Sequence, residues 1–243
     1  MSAAAAWRSP VVIVGLVVIA LMTVTIDGPA SALARSIDGD LKWWVDLLAS
    51  TGDSFYSLVP SGILALLFGG LYLRNHGTPR GRIYIWLAMA VGFFFVSIAF
   101  SGILTNVVKI ILGRARPEVA ISLYWPNFQP FARYGAYHAF PSGHANTLFA
   151  IAMALGCFVP RARPYLLAIA LPLALCRVLQ FKHFLSDTAG GAGLAIMTTL
   201  WLRHRLARWN LVFTYVSEGR VGLTAPGRFL RQRCRRLLRG RQR

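Results

Sequence analysis

An all-α integral membrane bundle of six transmembrane helices is the architecture this sequence predicts, and three observations predict it. Hydrophobic residues make up 56% of the 243 and charged residues only 14%, against the roughly 25% charged of a typical soluble domain. Six long apolar runs recur along the chain. The charges gather at the ends of those runs rather than within them.

The runs cover Val11–Ile26, Leu58–Leu73, Ile83–Val108, Ala145–Val159, Tyr165–Leu175 and Thr188–Leu202. Several are shorter than the ~20 residues a straight span needs, so their helices are expected to continue into the polar clusters at their ends. Beyond the first run, Ala32-Leu33-Ala34 resembles a signal-peptidase site. That run is slightly long for a signal peptide, and Asp27-Gly28-Pro29 separates it from the small residues, so an uncleaved first helix is expected. There is no internal repeat and no low-complexity linker. The expected organisation is one membrane domain over residues 1–205 and an Arg-rich tail over 206–243.

Six alternating spans put both chain ends on one side together with loops 74–82 and 160–164. Eighteen basic residues fall there: Arg8, Arg74, Arg80, Arg82, Arg161, Arg163 and the twelve arginines from Arg203 to Arg243. The opposite side holds 8, with seven of the eight acidic residues. The positive-inside rule then places both termini in the cytoplasm of a bacterial inner membrane. Because the tail directly follows an apolar run, its expected partner is anionic lipid headgroups, at roughly 1 kcal/mol per basic residue, and not nucleic acid. Cys157, Cys176 and Cys234 have no paired spacing, so neither a disulfide framework nor a zinc site is expected.

Under this topology three clusters meet on one outer face, at the outer ends of helices three to six. Lys109 and Arg116-Pro117 end the third helix, Pro141-Ser142-Gly143-His144 opens the fourth, Arg177 ends the fifth, and His183 with Asp187 opens the sixth. Ionisable groups at membrane depth are costly and mark function. Arg presents a planar fork to two phosphate oxygens and Lys a compact point charge, so Lys109, Arg116 and Arg177 suit a phosphate ester. Arg114 is read instead as a residue that snorkels to the headgroups. Ser142 is placed to cap a helix, Gly143 to let the backbone approach a ligand, and the free N–H groups of that helix end to bind an anion. His183 and Asp187, four residues apart, share one helical face if the helix begins near Lys182. A carboxylate holding the proton of one ring nitrogen frees the other for attack.

Lys109 with six residues to Arg116-Pro117, then Pro141-Ser142-Gly143-His144, then Arg177 with five residues to His183 and three to Asp187, resembles the signature of the type 2 phosphatidic acid phosphatases. These are lipid phosphate phosphatases that share a superfamily with the vanadium haloperoxidases. The likeness spans roughly residues 100–190, with the three motifs in order. Cys176 stands where the family's third motif usually begins with Ser. The resemblance implies that His183 attacks phosphorus, oriented by Asp187. It implies that His144 protonates the leaving oxygen and then activates water. Lys109, Arg116, Arg177, Ser142 and the Gly143 backbone would hold the equatorial oxygens, with no metal and no cofactor.

The expectation is therefore a membrane lipid phosphatase acting on a lipid phosphate at the outer face. Undecaprenyl diphosphate, phosphatidate, phosphatidylglycerol phosphate and a lipid A phosphate remain open as substrates, and the oligomeric state is left open. The alternatives are a phosphotransferase of the same chemistry and a non-enzymatic phosphate-binding membrane protein or transporter. His76 and His204 are read as interfacial residues and His138 as a residue lining the entrance. The aromatics Tyr124, Trp125, Phe128, Phe131, Tyr134, Tyr137 and Phe140 are read as an interfacial belt.

Overall fold

The computed structural model describes residues 10–36, 40–217, 220–230 and 232. Arg8, Cys234, Arg231 and the arginines of the tail from 233 onward lie outside the described residues. Among those described, the chain is mostly helical. Its helices are α1 (Pro10–Thr25), α2 (Asp27–Arg35), α3 (Asp40–Ser50), α4 (Phe55–Arg74), α5 (Pro79–Leu112), α6 (Gly143–Phe158), α7 (Arg163–Leu179) and α8 (Leu185–Arg208). A single 3₁₀ turn lies at Gly135–Tyr137, and two strands, β1 (Phe213–Ser217) and β2 (Arg220–Leu223), form an antiparallel hairpin.

The six apolar runs fall in α1, α4, α5, α6, α7 and α8; α7 and α8 extend several residues into their polar flanks, whereas α1 and α6 end at Thr25 and Phe158, one residue short of the ends of their runs. The stretches Leu41–Arg74 and Pro79–Leu112 are long and apolar enough to cross a membrane, and α1 with α2, bent by 52°, makes a third candidate. The side chains of α1 are apolar on every face, and Val11, Leu16 and Leu21 are exposed. That pattern suits a lipid surround, not water. Two helices go beyond the six expected. α2 and α3 are short and amphipathic, and their charged residues (Asp27, Arg35, Lys42, Asp46) hide them from a search for apolar runs. The all-α expectation also needs amending, because part of the supposed tail folds into the β1–β2 hairpin.

The chain divides into two compact units, residues 1–56 with 97–199, and residues 57–96 with 200–243. Within the second, Thr78 caps α5, its Oγ1 accepting from the Gly81 N–H at 3.1 Å, with Pro79 in the first helical position. A fixed φ and a missing donor cost nothing there. The hairpin is tied to the same unit by the Trp86 indole, which donates to Thr224 Oγ1 at 3.0 Å, and by Phe93, whose ring meets Phe213 edge-on at 4.9 Å.

Within the first unit, α3 buries Val45 and Ala49 against Cys176 and Leu179 of α7. Cys176 donates weakly to the Pro172 carbonyl, so its replacement of a serine leaves a small buried side chain in a helix contact. Asn146 of α6 joins three helices: it accepts from Ser101 of α5 at 2.9 Å and donates to the Gly191 carbonyl of α8 at 3.4 Å. Helix α5 stops at Gly113, where φ is +59 and any Cβ would lie 1.7 Å from the Gln129 oxygen. Only glycine fits that left-handed cap, and the cap turns the chain sharply into the segment that carries Arg114 and Arg116.

Candidate active site

All eight residues expected at the site lie in the first unit. Ser142 precedes α6 with an extended backbone, and its Oγ accepts from the Ala145 N–H at 3.5 Å. The N–H groups of Gly143 and His144, the first two helical residues, have no intrahelical partner and point out of the positive end of α6. A Cβ on Gly143 would sit 3.4 Å from Lys109 Nζ. The ammonium from the last turn of α5 therefore lies against the backbone that opens α6. On the opposite side, Gly191 of α8 lets this loop come close, since a Cβ there would strike the Ser142 oxygen at 2.3 Å. The Ser142 N–H donates to the Asp187 carbonyl at 2.9 Å. Close backbone approach thus joins the second cluster to the first and third.

His144 is covered from a direction that sequence reasoning missed. Gly52, in the turn after α3, packs over the imidazole so tightly that a Cβ would meet His144 Cδ2 at 2.9 Å. Asp53, next to it, acts on His144 electrostatically, as do Arg177, His183 and Lys109. No residue pattern around Gly52 signals this, because the contact depends on α3, which itself goes unseen in the sequence.

His183 is 2% exposed and sits two residues before α8 begins, so the helix starts slightly later than expected. Its Nδ1 lies 2.8 Å from the Ala139 carbonyl oxygen and 3.7 Å from Asp187 Oδ2. A carbonyl only accepts, so Nδ1 carries the proton and Nε2 keeps its lone pair. The Ala139 carbonyl is thus the nearer partner of Nδ1, and Asp187, the partner expected from the spacing, acts on the same nitrogen from 3.7 Å. Asp187 is occupied elsewhere. It stands at the third position of α8 and reaches back to the Phe184 N–H at 2.8 Å, half of a capping box. Burial holds His183 below the ordinary imidazole value of 6.5; the nearby Asp187 carboxylate opposes this, and the charges of Lys109 and Arg116 add to it.

Arg114 is the clearest correction. It is 3% exposed and enclosed by protein partners. Its Nη1 donates to Asp187 Oδ1 at 2.6 Å and Ser186 Oγ at 2.7 Å, its Nη2 donates to Asp27 Oδ2 at 2.8 Å, and its guanidinium stacks 4.3 Å over the Phe184 ring. Desolvated between two carboxylates, this arginine gains more from the interior than from snorkelling. Its main chain is also engaged: the Arg114 carbonyl accepts from the Ala139 N–H at 3.0 Å. One residue therefore grips the carboxylate of α8 by its side chain and the His183-orienting residue by its backbone.

Arg116 lies beyond the end of α5, not in its last turn, and its N–H donates to the Ala136 carbonyl at 2.8 Å. Its guanidinium approaches Glu118 at 3.9 Å, while Lys182 takes Glu118 at 2.6 Å. Arg177 of α7 donates to Gln180 Oε1 at 2.7 Å, and Gln180 donates to Asp46 of α3 at 2.6 Å. The Nε donors of Arg116 and Arg177 are buried and have no partner among the described residues. Lys109 feels the charges of Arg116, Arg177 and Asp187, so the three cations occupy one electrostatic neighbourhood with both histidines. Cations held this close repel one another until an anion enters among them.

The remaining candidates lie outside this group. His138 Nε2 bonds the Ala132 carbonyl at 3.0 Å and ties its own loop together. His204 faces the Tyr215 hydroxyl at 3.3 Å. Tyr124, Trp125, Phe128, Phe131 and Tyr134 are exposed. Among the described residues, no group of three or more His, Cys, Asp or Glu side chains is placed to hold a metal ion.

The family model described as the PAP2 superfamily matches residues 90–211, which contain every one of the eight site residues. A lipid A 1-phosphatase of Rhizobium etli is 30% identical over 202 residues, covering 83% of this chain and 86% of that protein. A lipid A 1-phosphatase of Rhizobium johnstonii is 30% identical over 187 residues, 76% of each chain. In fold, the chain resembles the first transmembrane PAP2-type phosphatidylglycerolphosphate phosphatase from Bacillus subtilis. The TM-score is 0.52 at 19% identity, over 86% of this chain and 96% of that one.

Proposed function

We propose that this chain, which belongs to the PAP2 superfamily and is a multi-pass membrane lipid phosphatase of bacterial type, releases phosphate from a lipid monoester through a phosphohistidine on His183. The observation that carries the reading is that Lys109 lies against the backbone that opens α6 and shares its electrostatic surroundings with Arg116 and Arg177, beside a buried histidine whose Nδ1 is held by the Ala139 carbonyl. Catalysis follows from placing fixed positive charge where the transferring phosphoryl group develops negative charge. Nε2 of His183 attacks phosphorus while Ala139 keeps the Nδ1 proton. His144 gives a proton to the departing lipid oxygen, then takes one from the water that cleaves the phosphohistidine. No step of this route passes through a metal.

Lipid A carrying a 1-phosphate is the substrate we favour among the four lipid phosphates left open, supported by the two curated relatives. The proposed setting is six spans in a bacterial inner membrane, with both termini cytoplasmic, the site on the outer face and the tail arginines on anionic headgroups. The test is phosphate release by the detergent-purified chain from a panel of lipid A, phosphatidate, phosphatidylglycerol phosphate and undecaprenyl diphosphate. We expect lipid A to be turned over fastest and EDTA to leave the rate unchanged. Loss of activity in EDTA with recovery in magnesium contradicts the route.

Attack requires neutral His183, and its lowered proton affinity keeps it neutral as pH falls through the ordinary imidazole range. With the folded value depressed, the protonated, inactive form accumulates only below pH 6.5. Nitrogen NMR of histidine-labelled protein, with the His183 signal assigned by its loss in His183→Ala, should show an Nδ1–H tautomer titrating below 6.5. A midpoint above that value, or an Nε2–H tautomer, contradicts the assignment.

A further inference from the structure

Asp27 has no part in the route above, yet it is fully buried against the start of α8. It lies where α1 bends into α2, and three contacts hold it there. Oδ1 accepts from the Ser186 N–H at 2.9 Å; Oδ2 accepts from Arg114 Nη2 at 2.8 Å and from the Ser186 hydroxyl; and Arg114 passes on to Asp187 at 2.6 Å. Every partner of both carboxylates is a donor, the arrangement that suits two ionised acids. Two carboxylates share one guanidinium, so the buried triad keeps one net negative charge. Its nearest oxygen to the nucleophile, Asp187 Oδ2, is 3.7 Å from His183 Nδ1.

We propose that Asp27 and Arg114 are positioning residues which, with Asp187, hold that single negative charge beneath the Nδ1–H edge of His183. The inference rests on the phosphohistidine reading and deepens it. When the Nε2 lone pair forms the N–P bond, the P–O bond to the lipid breaks. Its electron pair leaves with the lipid oxygen, which takes the proton of His144. The ring retains its Nδ1 proton and so becomes cationic. Lys109 from α5 and Arg116 from the loop after it oppose that cation, and the charge that favours it is that of Asp187, the member of the triad nearest the ring. With Arg114 paired to Asp187 alone, the net charge there would be zero. Asp27 draws part of the guanidinium away and restores it.

A purely mechanical staple between α2 and α8 makes the opposite prediction for paired substitutions. Using the full-length detergent-purified chain and dioctanoyl phosphatidate as probe, Asp27→Asn keeps the shape and the bond from Ser186 but cancels the net charge. We expect kcat to fall about tenfold or more with KM within about twofold, because the charge acts on the reacting ring and not on bound substrate. Asp27→Asn with Arg114→Gln returns the net charge to one negative and should bring kcat back to within about threefold of wild type. An Asp27→Asn chain with unchanged kcat, or a double variant slower than the single, overturns the proposal. Should Asp27→Asn not accumulate, Asp27→Glu decides: retained charge with retained turnover supports the proposal, and a folded Glu variant as slow as His183→Ala overturns it. Wild-type protein that releases no phosphate, or His183→Ala that matches wild type, would instead refute the underlying reading.

Discussion

His183→Ala is expected to reduce phosphate release by about 10⁴-fold or more while the bundle remains folded. The magnitude follows from the residue's position. Basic side chains can bind a phosphate ester and polarise it, but only a free Nε2 can displace the lipid oxygen, and the structure directs that lone pair by securing Nδ1 on Ala139. Removing the ring costs one buried hydrogen bond and leaves a small cavity, so the damage to folding is modest beside the loss of chemistry. Substrate labelled in the phosphate should transfer label to wild-type protein on rapid acid-free quenching, and none to the alanine variant. Label on the variant, or turnover within tenfold of wild type, places the nucleophile elsewhere.

Arg114→Leu carries the largest expected effect on stability. Two carboxylates, Asp27 and Asp187, are both at 0% exposure and share this one guanidinium. Taking away the cation leaves them facing each other in a buried site, and breaking a buried pair in this way costs about 3–5 kcal/mol. For a chain of this size that corresponds to a fall in melting temperature of roughly 10 °C. Thermal unfolding in detergent measures it, and activity should fall in parallel as Asp187, repelled by the unpaired Asp27, leaves the edge of His183, while the main-chain bond from Ala139 to residue 114 remains. A variant that melts within 2 °C of wild type would mean that Arg114 lies in the headgroups after all.

The contrast between Arg114 and Arg116 marks how far the sequence could be read. Both are arginines at the end of the same apolar run, and spacing singled out Arg116, whose charge acts on His183 and Lys109. Nothing in the local pattern distinguishes a snorkelling arginine from one buried by partners 87 and 73 residues away. The apolar runs were legible because a bilayer imposes length and composition on a span. α2 and α3 were not, because amphipathic helices of nine and eleven residues satisfy no such constraint. Their loss left Asp27 as part of a spacer after the first run and hid Gly52 altogether. The His183–Asp187 spacing correctly indicated proximity but not which acceptor takes the ring proton. That depends on the Ala139 carbonyl, and a main-chain oxygen has no signature in sequence.

The central claim is that cations from separate helices surround one phosphoryl position in front of His183 Nε2. It is tested most directly by the structure of the protein inhibited with orthovanadate, whose five-coordinate vanadium resembles phosphorus in flight. The account predicts vanadium bonded to His183 Nε2, its equatorial oxygens met by Lys109, Arg116, Arg177 and the Gly143 N–H, and His144 at the opposite apex. Vanadate bound away from His183, or held by only one of the three clusters, would contradict it.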